Sequence, residues 1–403
     1  MKLKEKDNVP LIRFDYFKEE WDKKLFKDFT KLSQGLQIAI SSRFLEDGED
    51  RYFYITNEFL NPNSTKKYYI ESPSENVICT VDDILMTRTG NTGKVITNIS
   101  GAFHNNFFKV DYDKFETSKM FLYYLLTSND IHKEIIIRAG NSTIPDLNHS
   151  DFYSIKTSVP SLDEQSAIGS LFLALDDLLA SYKDNLANYQ SLRATMLSKM
   201  FPKAGQTVPE IRLDGFDGEW EIKKFKSIST KRGKSNSKGY DYPAYSVSNQ
   251  SGLIPQSEQF EGSRLENLEK TSYKIVEPNE FAYNPARINV GSIAFNDLDE
   301  TVIVSSLYVI FSLDKSINNN YALLFIKSPE FNKEVRRNTE GSVREYLFYE
   351  NFANIRIPIP PSLEEQQAIS AYFSNLNSLI IAHQEKILQL ETLKKKLLQD
   401  MFI

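Results

Sequence analysis

Apolar residues recur at heptad spacing in two long stretches of the sequence, one following Pro160 and the other following Pro361. Neither stretch contains a proline or a cluster of turn residues, so each predicts a single helix of about 38 residues, roughly 57 Å long at 1.5 Å per residue. The predicted stripe comprises Ile168, Leu171, Leu175, Leu178, Tyr182, Tyr189, Leu192 and Met196 in the first helix and Ile369, Tyr372, Leu376, Leu379, His383, Leu390, Leu393 and Leu397 in the second. One such stripe is usually ordinary core, but two in the same phase predict an intramolecular antiparallel coiled coil that acts as a spacer.

The starts and flanks of these helices carry further signals. Ser161 with Glu164, and Ser362 with Glu365, have the spacing of a capping box. A second set of apolar residues lies beside the predicted stripe, and we expect a partner to cover it: Phe172, Leu179, Leu186, Phe373, Ile380 and Ile387.

The segments that precede the helices have a different pattern. Short runs of aromatic and β-branched residues alternate with turn residues, which is typical of strands. The predicted strands are 77–81, 94–99, 106–112, 292–295 and 301–313, and a helical patch occurs in each segment, at 119–137 and 321–337. The sequence therefore predicts the α+β class, with two tandem mixed α/β domains separated by the two long helices.

The two halves of the chain are copies of one unit. The segment Val9-Pro10-Leu11-Ile12-Arg13-Phe14-Asp15 recurs 199 positions later as Val208-Pro209-Glu210-Ile211-Arg212-Leu213-Asp214. Pro160-Ser161-Leu162-Asp163-Glu164-Gln165 recurs 201 positions later as Pro361-Ser362-Leu363-Glu364-Glu365-Gln366. An offset that changes by only two residues over this length indicates duplication with a pseudo-two-fold relation. The predicted boundaries are 1–160 for the first domain, 161–201 for the central helix, 202–360 for the second domain and 361–403 for the C-terminal helix.

Charge does not by itself indicate a nucleic-acid-binding surface. The formal net charge is −6, and the two blocks are nearly balanced, with 21 basic and 23 acidic residues in 1–160 and 20 and 21 in 202–360. A lone cysteine, Cys79, fits a reducing compartment. No apolar run approaches the roughly 20 residues of a membrane span, and no secretory signal is evident. We therefore expect a soluble, cytoplasmic protein.

The sequence contains no pattern that predicts catalysis. The four histidines are scattered, and they form no zinc-ligand set with the cysteine. Gly90-Asn91-Thr92-Gly93-Lys94 lacks the first glycine and the final Ser/Thr of a phosphate-binding loop. Neither Asn61-Pro62-Asn63-Ser64 nor Asn284-Pro285-Ala286-Arg287 is the Asn/Asp-Pro-Pro-aromatic turn of amino-methyltransferases. We predict that the chain alone is not an enzyme and binds no cofactor or metal.

The duplicated segments resemble those of the specificity subunits of type I restriction–modification systems. The resemblance rests on the Val-Pro-x-Ile-Arg opening, the Pro-Ser-Leu-x-Glu-Gln start of each long helix and the order in which both are repeated, over residues 9–403. The segment Gly140-Asn141-Ser142-Thr143-Ile144-Pro145-Asp146-Leu147-Asn148 is similar to that family's Gly-Ser/Asn-Thr-x-Pro-x-Leu-Asn segment. The second unit departs from this pattern and reads Gly341-Ser342-Val343-Arg344-Glu345-Tyr346-Leu347.

The resemblance implies a DNA-reading subunit without catalytic residues. In that family each block is a target-recognition domain that reads one half of an asymmetric bipartite target in double-stranded DNA. The helices act as a ruler and as the dock for two methyltransferase subunits, and endonuclease/translocase subunits join the complex. S-adenosylmethionine, ATP and Mg are expected on those partners, which methylate adenine N6 or cut DNA. No membrane partner is implied.

Candidate DNA contacts lie in loop-like runs of hydrogen-bond donors. Arginine suits guanine, while threonine, asparagine and lysine suit phosphates or base edges. The candidates are Thr87, Arg88, Thr89, Asn91 and Lys94, their approximate counterparts Arg287 and Asn289, the loop residues Asn141, Ser142, Thr143, Ser342 and Arg344, and the basic run Lys231, Arg232 and Lys234. A structural turn explains the first run equally well, because Gly93 and Gly291 suit special backbone conformations. A solvated loop equally explains the basic run.

A second class of function also fits part of the sequence. A coiled-coil adaptor with duplicated protein-binding domains and no role on DNA agrees with the near-neutral charge of both blocks. The duplicated motifs favour the DNA-specificity subunit.

Overall fold

The computed structural model describes residues 9–140, 143–249, 252–259, 270–338 and 346–403, and for 258, 259 and 338 it describes the backbone only. The chain divides into two compact units, Met1–Asp184 with Glu385–Ile403, and Asn185–Gln384. Each unit thus combines one globular block with segments of both long helices. Within the described ranges, no helix is long and apolar enough to cross a membrane.

The first unit contains strands at the three predicted positions, 77–81, 94–99 and 106–112, and at further positions that the sequence did not predict. The strands are β1 (Asp22–Leu25), β2 (Thr30–Gln34), β3 (Arg51–Ile55), β4 (Tyr69–Glu71), β5 (Ile78–Cys79), β6 (Ile84–Thr87), β7 (Val95–Thr97), β8 (Gly101–Phe103), β9 (Phe107–Tyr112) and β10 (Lys156–Val159). The helices are α1 (Phe26–Phe29), α2 (Lys119–Thr127), α3 (Asn129–Ala139), α4 (His149–Tyr153) and α5 (Leu162–Lys199), the last of which continues into the second unit.

Two four-stranded sheets and one ribbon form the β-structure of the first unit. The first sheet is antiparallel with strand order β2-β9-β6-β7, and the second has the order β4-β3-β8-β5 and is mixed because β3 and β8 run parallel. β1 pairs with β10, and β10 leads directly to the start of α5. Phe108 of the central strand β9 and Phe121 and Leu125 of α2 are fully buried in one core, which fixes the first sheet against the helices.

The second unit has a similar order of elements, except that the 3₁₀ turn Phe225–Ser227 takes the place of α1 and a short α-helix lies between its fourth and fifth strands. Its strands are β11 (Glu221–Lys224), β12 (Ser229–Arg232), β13 (Tyr245–Ser248), β14 (Gly252–Pro255), β15 (Lys274–Val276), β16 (Phe281–Tyr283), β17 (Ile293–Phe295), β18 (Val302–Val304), β19 (Val309–Leu313) and β20 (Arg356–Ile359). Its helices are α6 (Gln256–Gln259), α7 (Asn319–Ile326), α8 (Pro329–Asn338), α9 (Tyr349–Phe352) and α10 (Leu363–Asp400), which continues into the first unit.

The main sheet of the second unit has the strand order β12-β19-β16-β17, which matches that of the first sheet strand for strand. β11 pairs with β20 as β1 pairs with β10, while β13–β14 and β15–β18 form separate ribbons. The duplication predicted from the sequence is therefore present in the fold of the described residues.

The two repeated motifs of each unit contact each other. Arg13 Nε and Nη2 donate to the two carboxylate oxygens of Glu164, each at 2.7 Å, and the ion pair is almost fully buried. Arg212 and Glu365 repeat the pair at 2.7 and 2.8 Å. Ser362 Oγ accepts from the N–H of Glu365 at 3.1 Å, as a capping box requires, but the carboxylates of both glutamates bind the arginine of the opening segment and so attach the helix to it.

The glutamine that follows each glutamate makes a second attachment. Gln165 Nε2 donates to the carbonyl oxygen of Pro160 at 2.9 Å, and its Oε1 accepts from the backbone N–H of Ser118, which precedes α2, at 3.0 Å. Gln366 repeats the second contact by accepting from the N–H of Asn318, before α7, at 2.8 Å. Both glutamines are buried, so the Glu-Gln pair of the motif is a structural fastening of each long helix.

The far ends of the long helices complete the cores. Met401 and Phe402, which follow α10, are buried in the first unit, where the ring of Phe402 lies 5.6 Å from that of Phe121. Met200 and Phe201, which follow α5, are buried in the second unit. This explains why both halves of the sequence close with Met-Phe.

The two long helices pack antiparallel in each unit, as predicted. In the first unit Lys183 bonds to Glu391 at 2.7 Å, and Asp176 contacts Lys394. In the second unit Arg193 Nε donates to Asn377 Oδ1 at 2.7 Å. Residues later in α5 therefore contact residues earlier in α10.

The predicted stripe of each long helix comprises two columns of residues spaced mostly seven apart, which together form the seam between the helices. Only one of the two predicted columns is right. The column that begins at Ile168 and Leu175 is buried at these two residues and half-buried at Tyr182, Tyr189 and Met196. In the other column Leu178 is 42% exposed, while its neighbour Leu179 is 7% exposed. The second column is shifted by one residue, so these leucines of the predicted stripe face outward: Leu178, Leu192, Leu379 and Leu393. Phe172, Leu179 and Phe373, which we expected a partner to cover, are instead buried within the chain.

Most predicted elements are present, but three are divided. Strand 301–313 is split into β18 and β19, the helical patch 119–137 into α2 and α3, and the helical patch 321–337 into α7 and α8. The break between α2 and α3 falls at Ser128, which is buried, has extended backbone angles and donates through Oγ to the carbonyl of Leu125. Serine satisfies backbone groups in this way at helix ends.

Candidate nucleic-acid interface

The first unit presents loops at one edge of its β2-β9-β6-β7 sheet. β2 and β6 are both antiparallel to the intervening β9, so their carboxyl ends lie at the same edge. Gln34 ends β2 opposite Phe108, and Thr87 ends β6 opposite Phe107. The candidate loop 88–94 and the residues that follow Gln34 therefore lie at one sheet edge.

Thr87 supports this loop from inside. Its side chain is fully buried; Oγ1 donates to the carbonyl oxygen of Asn91 at 2.5 Å and accepts from the N–H of Lys94 at 2.9 Å. Gly90, Asn91 and Gly93 have φ of +63°, +65° and +82°, values that glycine and asparagine tolerate best. The side chain of Thr87, a predicted DNA contact, is enclosed by the turn and does not reach the surface of the loop.

Arg88 is engaged within the protein. Its Nη2 donates to Asp146 Oδ2 at 2.7 Å, its Nε donates to the carbonyl oxygen of Leu147 at 3.3 Å, and its guanidinium lies 5.5 Å from the centre of the Phe108 ring. These contacts favour the structural interpretation of this residue, in which Arg88 clamps its loop to the segment that contains Asp146.

The same clamp brings two candidate loops together. Thr89 forms an antiparallel bridge with Asp146, and Thr92 Oγ1 donates to the carbonyl oxygen of Pro145 at 2.8 Å. Asn57 Nδ2 donates to the carbonyl of Thr89 at 3.0 Å and thereby supports the loop from another direction. The segments 88–94 and 143–148 thus form one braced surface.

Three of the predicted contact residues are exposed on this surface. Asn91 and Thr143 are exposed, and Lys94 is exposed while its Nζ donates to the carbonyl oxygen of Leu60 at 3.2 Å. These side chains can approach a ligand without rearrangement of the loop backbone.

Sequence reasoning missed a group of amides at the same edge, Gln34, Gln37 and Asn105, which we call the amide cluster. Asn105 Nδ2 donates to Gln37 Oε1 at 3.3 Å, and Gln34 Nε2 approaches the Asn105 carbonyl at 3.5 Å. The neighbouring Asn106 carbonyl accepts from the N–H of Arg88 at 2.7 Å, which links the cluster to loop 88–94. Asn105 directly precedes the predicted strand 106–112, but no strand was predicted near Gln34 and Gln37, so no signal in the sequence joins the three.

In the second unit, loop 284–291 follows β16 at the equivalent edge. Its 3₁₀ turn Ile288–Val290 ends at Gly291, with φ of +88°. The N–H of Leu347 donates to the Pro285 carbonyl at 3.0 Å, as that of Leu147 donates to the Arg88 carbonyl in the first unit. Arg287 and Asn289 are both exposed.

A basic group lies at the end of β12, on the same edge. The side chains of Lys231, Arg232 and Lys234 are exposed. Ser235 forms an antiparallel β-bridge with Lys274, which brings a fourth cationic residue close to these three. Burial, and secondarily the charge of Lys231, lower the pKa of Lys274. Lys231 pairs with the exposed carboxylate of Glu350 at 2.8 Å. An exposed pair is worth at most about 1 kcal/mol, so a phosphate can replace the carboxylate.

The remaining candidates, Asn141, Ser142, Ser342 and Arg344, lie outside the described residues. In the part of the chain that the structure describes, no group of three or more His, Cys, Asp or Glu side chains is arranged to hold a metal ion.

The sequence matches the family described as Type I restriction modification DNA specificity domain twice, over residues 18–188 and 218–392. The chain belongs to this family. As a member it is a non-catalytic specificity subunit of a type I restriction–modification complex, with two tandem DNA-specificity domains. The two matched ranges each contain one β-rich block and most of the long helix that follows it.

Relatives extend over nearly the whole chain. The Type I restriction enzyme MjaVIII specificity subunit of Methanocaldococcus jannaschii is 22% identical to this specificity subunit, and the alignment covers 94% of this chain and 91% of the relative. A putative type I restriction enzyme MjaX specificity subunit of the same organism is 23% identical over 69% of this chain and 66% of the relative.

Solved structures share the fold. The S subunit of a type I restriction-modification system from M. genitalium superposes with a TM-score of 0.60 at 15% identity, covering 98% of this chain and 99% of that one. A structure described in terms of complex assembly and conformational transition of the type I R-M system matches with a TM-score of 0.50 at 15% identity, over 94% and 96% of the two chains.

Proposed function

We propose that this specificity subunit reads an asymmetric bipartite target in double-stranded DNA, with one half-site for each unit. The observation that carries the proposal is a duplicated fold with unlike chemistry at the equivalent sheet edge. The first unit has the amide cluster and loop 88–94 there, while the second has Arg287 and the basic group around Lys231.

These two chemistries suit different base pairs. Asparagine and glutamine can bond bidentately to the N6 and N7 edge of adenine, whereas arginine bonds to O6 and N7 of guanine. Lys231, Arg232 and Lys234 suit phosphate contacts, which position the protein without carrying sequence information. We therefore infer that the first unit prefers an A·T-containing half-site and that Arg287 reads a G·C pair in the other half-site.

The partners follow from the same proposal. Two methyltransferase subunits dock on the long helices and bind S-adenosylmethionine, and endonuclease/translocase subunits bring ATP and Mg. This chain itself supplies the recognition surfaces and their attachment to the helices, in the cytoplasm where the host DNA lies. The predicted boundaries 1–160, 161–201, 202–360 and 361–403 describe readers and spacers in this scheme.

Methylation mapping tests the proposal directly. The subunit is co-expressed with the methyltransferase of its system in a host without adenine methylation, and N6-methyladenine is mapped across the host DNA by single-molecule sequencing. We expect one split motif that disappears when this subunit is omitted. Methylation that is absent, or that is independent of the subunit, would favour the coiled-coil adaptor instead.

Half-site variants add a control. Gln34→Ala with Gln37→Ala should relax the motif in one half only, and Arg287→Ala should relax it in the other half only. Loss of both halves in either variant would contradict the assignment of one half-site to each unit.

A further inference from the structure

Equivalent positions of the two units differ where the long helices meet the globular blocks. Asp176 of α5 corresponds to Asn377 of α10, 201 positions later, and Lys394 corresponds to Arg193 by the same offset. A carboxylate–lysine pair in one unit is therefore an amide–arginine pair in the other.

In the first unit the chain neutralises its own charge. Lys394 Nζ contacts Asp176 Oδ1, and the Tyr124 hydroxyl donates to Asp176 Oδ2 at 2.7 Å. The Lys394 ammonium also lies 5.4 Å from the centre of the Tyr124 ring. Burial, followed by the carboxylate of Asp176, raises the pKa of Tyr124 well above its ordinary value, so the hydroxyl remains a donor.

In the second unit the carboxylate and the phenol are both missing. Leu324 stands at the position of Tyr124, Lys327 at that of Thr127, and Arg193 Nε donates to Asn377 Oδ1 at 2.7 Å. A cavity of about 640 Å³ in the second unit is lined by Arg193, Leu324, Lys327, Ser370, Asn377 and Ile380, among others; we call it the Arg193 pocket. Its described lining contains no aspartate or glutamate.

Two cations therefore share one pocket without a neutralising group from its lining. Burial lowers the pKa of Arg193, and burial followed by the charge of Arg193 lowers the pKa of Lys327. Partly buried like charges destabilise each other unless an anion lies close to both. The side chains of Asn377 and Ser370 provide neutral hydrogen-bonding groups beside the cations.

We propose that the Arg193 pocket is a carboxylate-binding site, filled by an aspartate or glutamate side chain of a protein partner. The first unit supports a carboxylate as the ligand, because Asp176 occupies the equivalent position there. The apolar part of the lining, including Leu324 and Ile380, favours a side chain over a fully hydrated free anion. This inference rests on the proposed function in one respect, that the subunit assembles with a protein partner. It does not depend on how the subunit reads DNA.

The first experiment uses the full chain and acetate as the probe. Thermal unfolding is followed with acetate replacing chloride at constant ionic strength, and with inorganic phosphate in a parallel series. Acetate should raise the melting temperature by about 1–2 °C and saturate, as binding to the folded state requires. The response should disappear in Asn377→Asp, which supplies the carboxylate internally, and in Arg193→Gln.

A matched variant in the first unit serves as the control. Asp176→Asn removes the internal carboxylate beside Lys394, so this variant should show a larger acetate response than the wild type. A wild type that responds to phosphate but not to acetate, or an Asn377→Asp variant that responds as the wild type does, would overturn the proposal.

The second experiment identifies the source of the carboxylate. The co-expressed complex with the methyltransferase subunit is treated with a carbodiimide, which joins an amine to a carboxylate in direct contact with loss of water, and the links are mapped by mass spectrometry. Lys327 should be joined to an Asp or Glu of the partner, while Lys394 and Asp176 provide an internal positive control. A complex in which Lys394 is linked but Lys327 is not would rule out the protein partner.

Discussion

Arg13 and Glu164 explain why two distant motifs are repeated together. The opening segment and the start of α5 are joined by this buried pair, and Arg212 with Glu365 joins the second set. The Glu164 hydrogen bond, with the charge of that carboxylate, raises the pKa of Arg13 despite partial burial. Sequence comparison located both motifs, but a capping box was the nearer explanation for Glu164, since local spacing does not reveal a contact across 151 residues.

Glu164→Gln should therefore destabilise the subunit by about 3–5 kcal/mol, because it leaves the Arg13 guanidinium buried without its counter-charge. The free energy of unfolding of the first unit is measured by urea denaturation. The double variant Arg13→Met with Glu164→Met is the control, since removal of both charges should recover part of the loss. Equal losses in the single and double variants would show that packing, and not the ion pair, dominates.

Arg88 and Arg287 were equivalent candidates in the sequence, yet their surroundings differ. Arg88 is bonded to Asp146 and Leu147, whereas Arg287 is exposed on loop 284–291. Arginine suits both a clamp and a guanine contact, so residue type alone did not distinguish them.

Arg287→Ala should weaken DNA binding by about 1–3 kcal/mol and leave the melting temperature unchanged, if it contacts a base. Arg88→Ala should instead lower the melting temperature, and Asp146→Ala should lower it similarly because it breaks the same clamp. Binding of the co-expressed complex to its mapped target, measured at fixed salt, gives the first quantity. A stable Arg287→Ala variant with unchanged affinity would remove loop 284–291 from the interface.

At the level of elements, periodicity predicted the helices and one column of their seam. The chain offers apolar residues at both possible second columns, for example Leu178 and Leu179, and 3.6 residues per turn permits either. The choice is made by tertiary contacts, such as the Phe172 ring lying 4.8 Å from that of Tyr124. The sequence of the helix alone does not predict that contact.

Neighbouring leucines test the revised seam. Leu179→Ala should cost about 2–5 kcal/mol because it leaves a cavity in a buried position. Leu178→Ala should change stability by about 0.5 kcal/mol or less, as surface substitutions generally do. Urea denaturation of both variants measures the difference, and a greater loss for Leu178→Ala would restore the column predicted from the sequence.

For the whole molecule, duplication was the strongest signal, and it predicted two units with one fold. The chemistry at the sheet edges was less accessible, because Gln34, Gln37 and Asn105 belong to different strands or turns and meet only through strand order. Likewise, the burial of Met401 and Phe402 in the first unit depends on the return of α10, which the apolar pattern of the last residues does not reveal.

The proposed ruler is tested by changing helix length without changing the seam. Seven residues inserted after Asp184 and seven after Gln384 preserve the heptad phase of both helices and add about 10 Å to each. Since duplex DNA rises about 3.4 Å per base pair, the gap between the two half-sites should lengthen by about three base pairs. Methylation mapping of the co-expressed complex measures the gap.

Insertion into α5 alone is the control and should abolish methylation because it breaks the pairing of the helices. An unchanged gap in the double insertion would mean that the helices do not set half-site spacing.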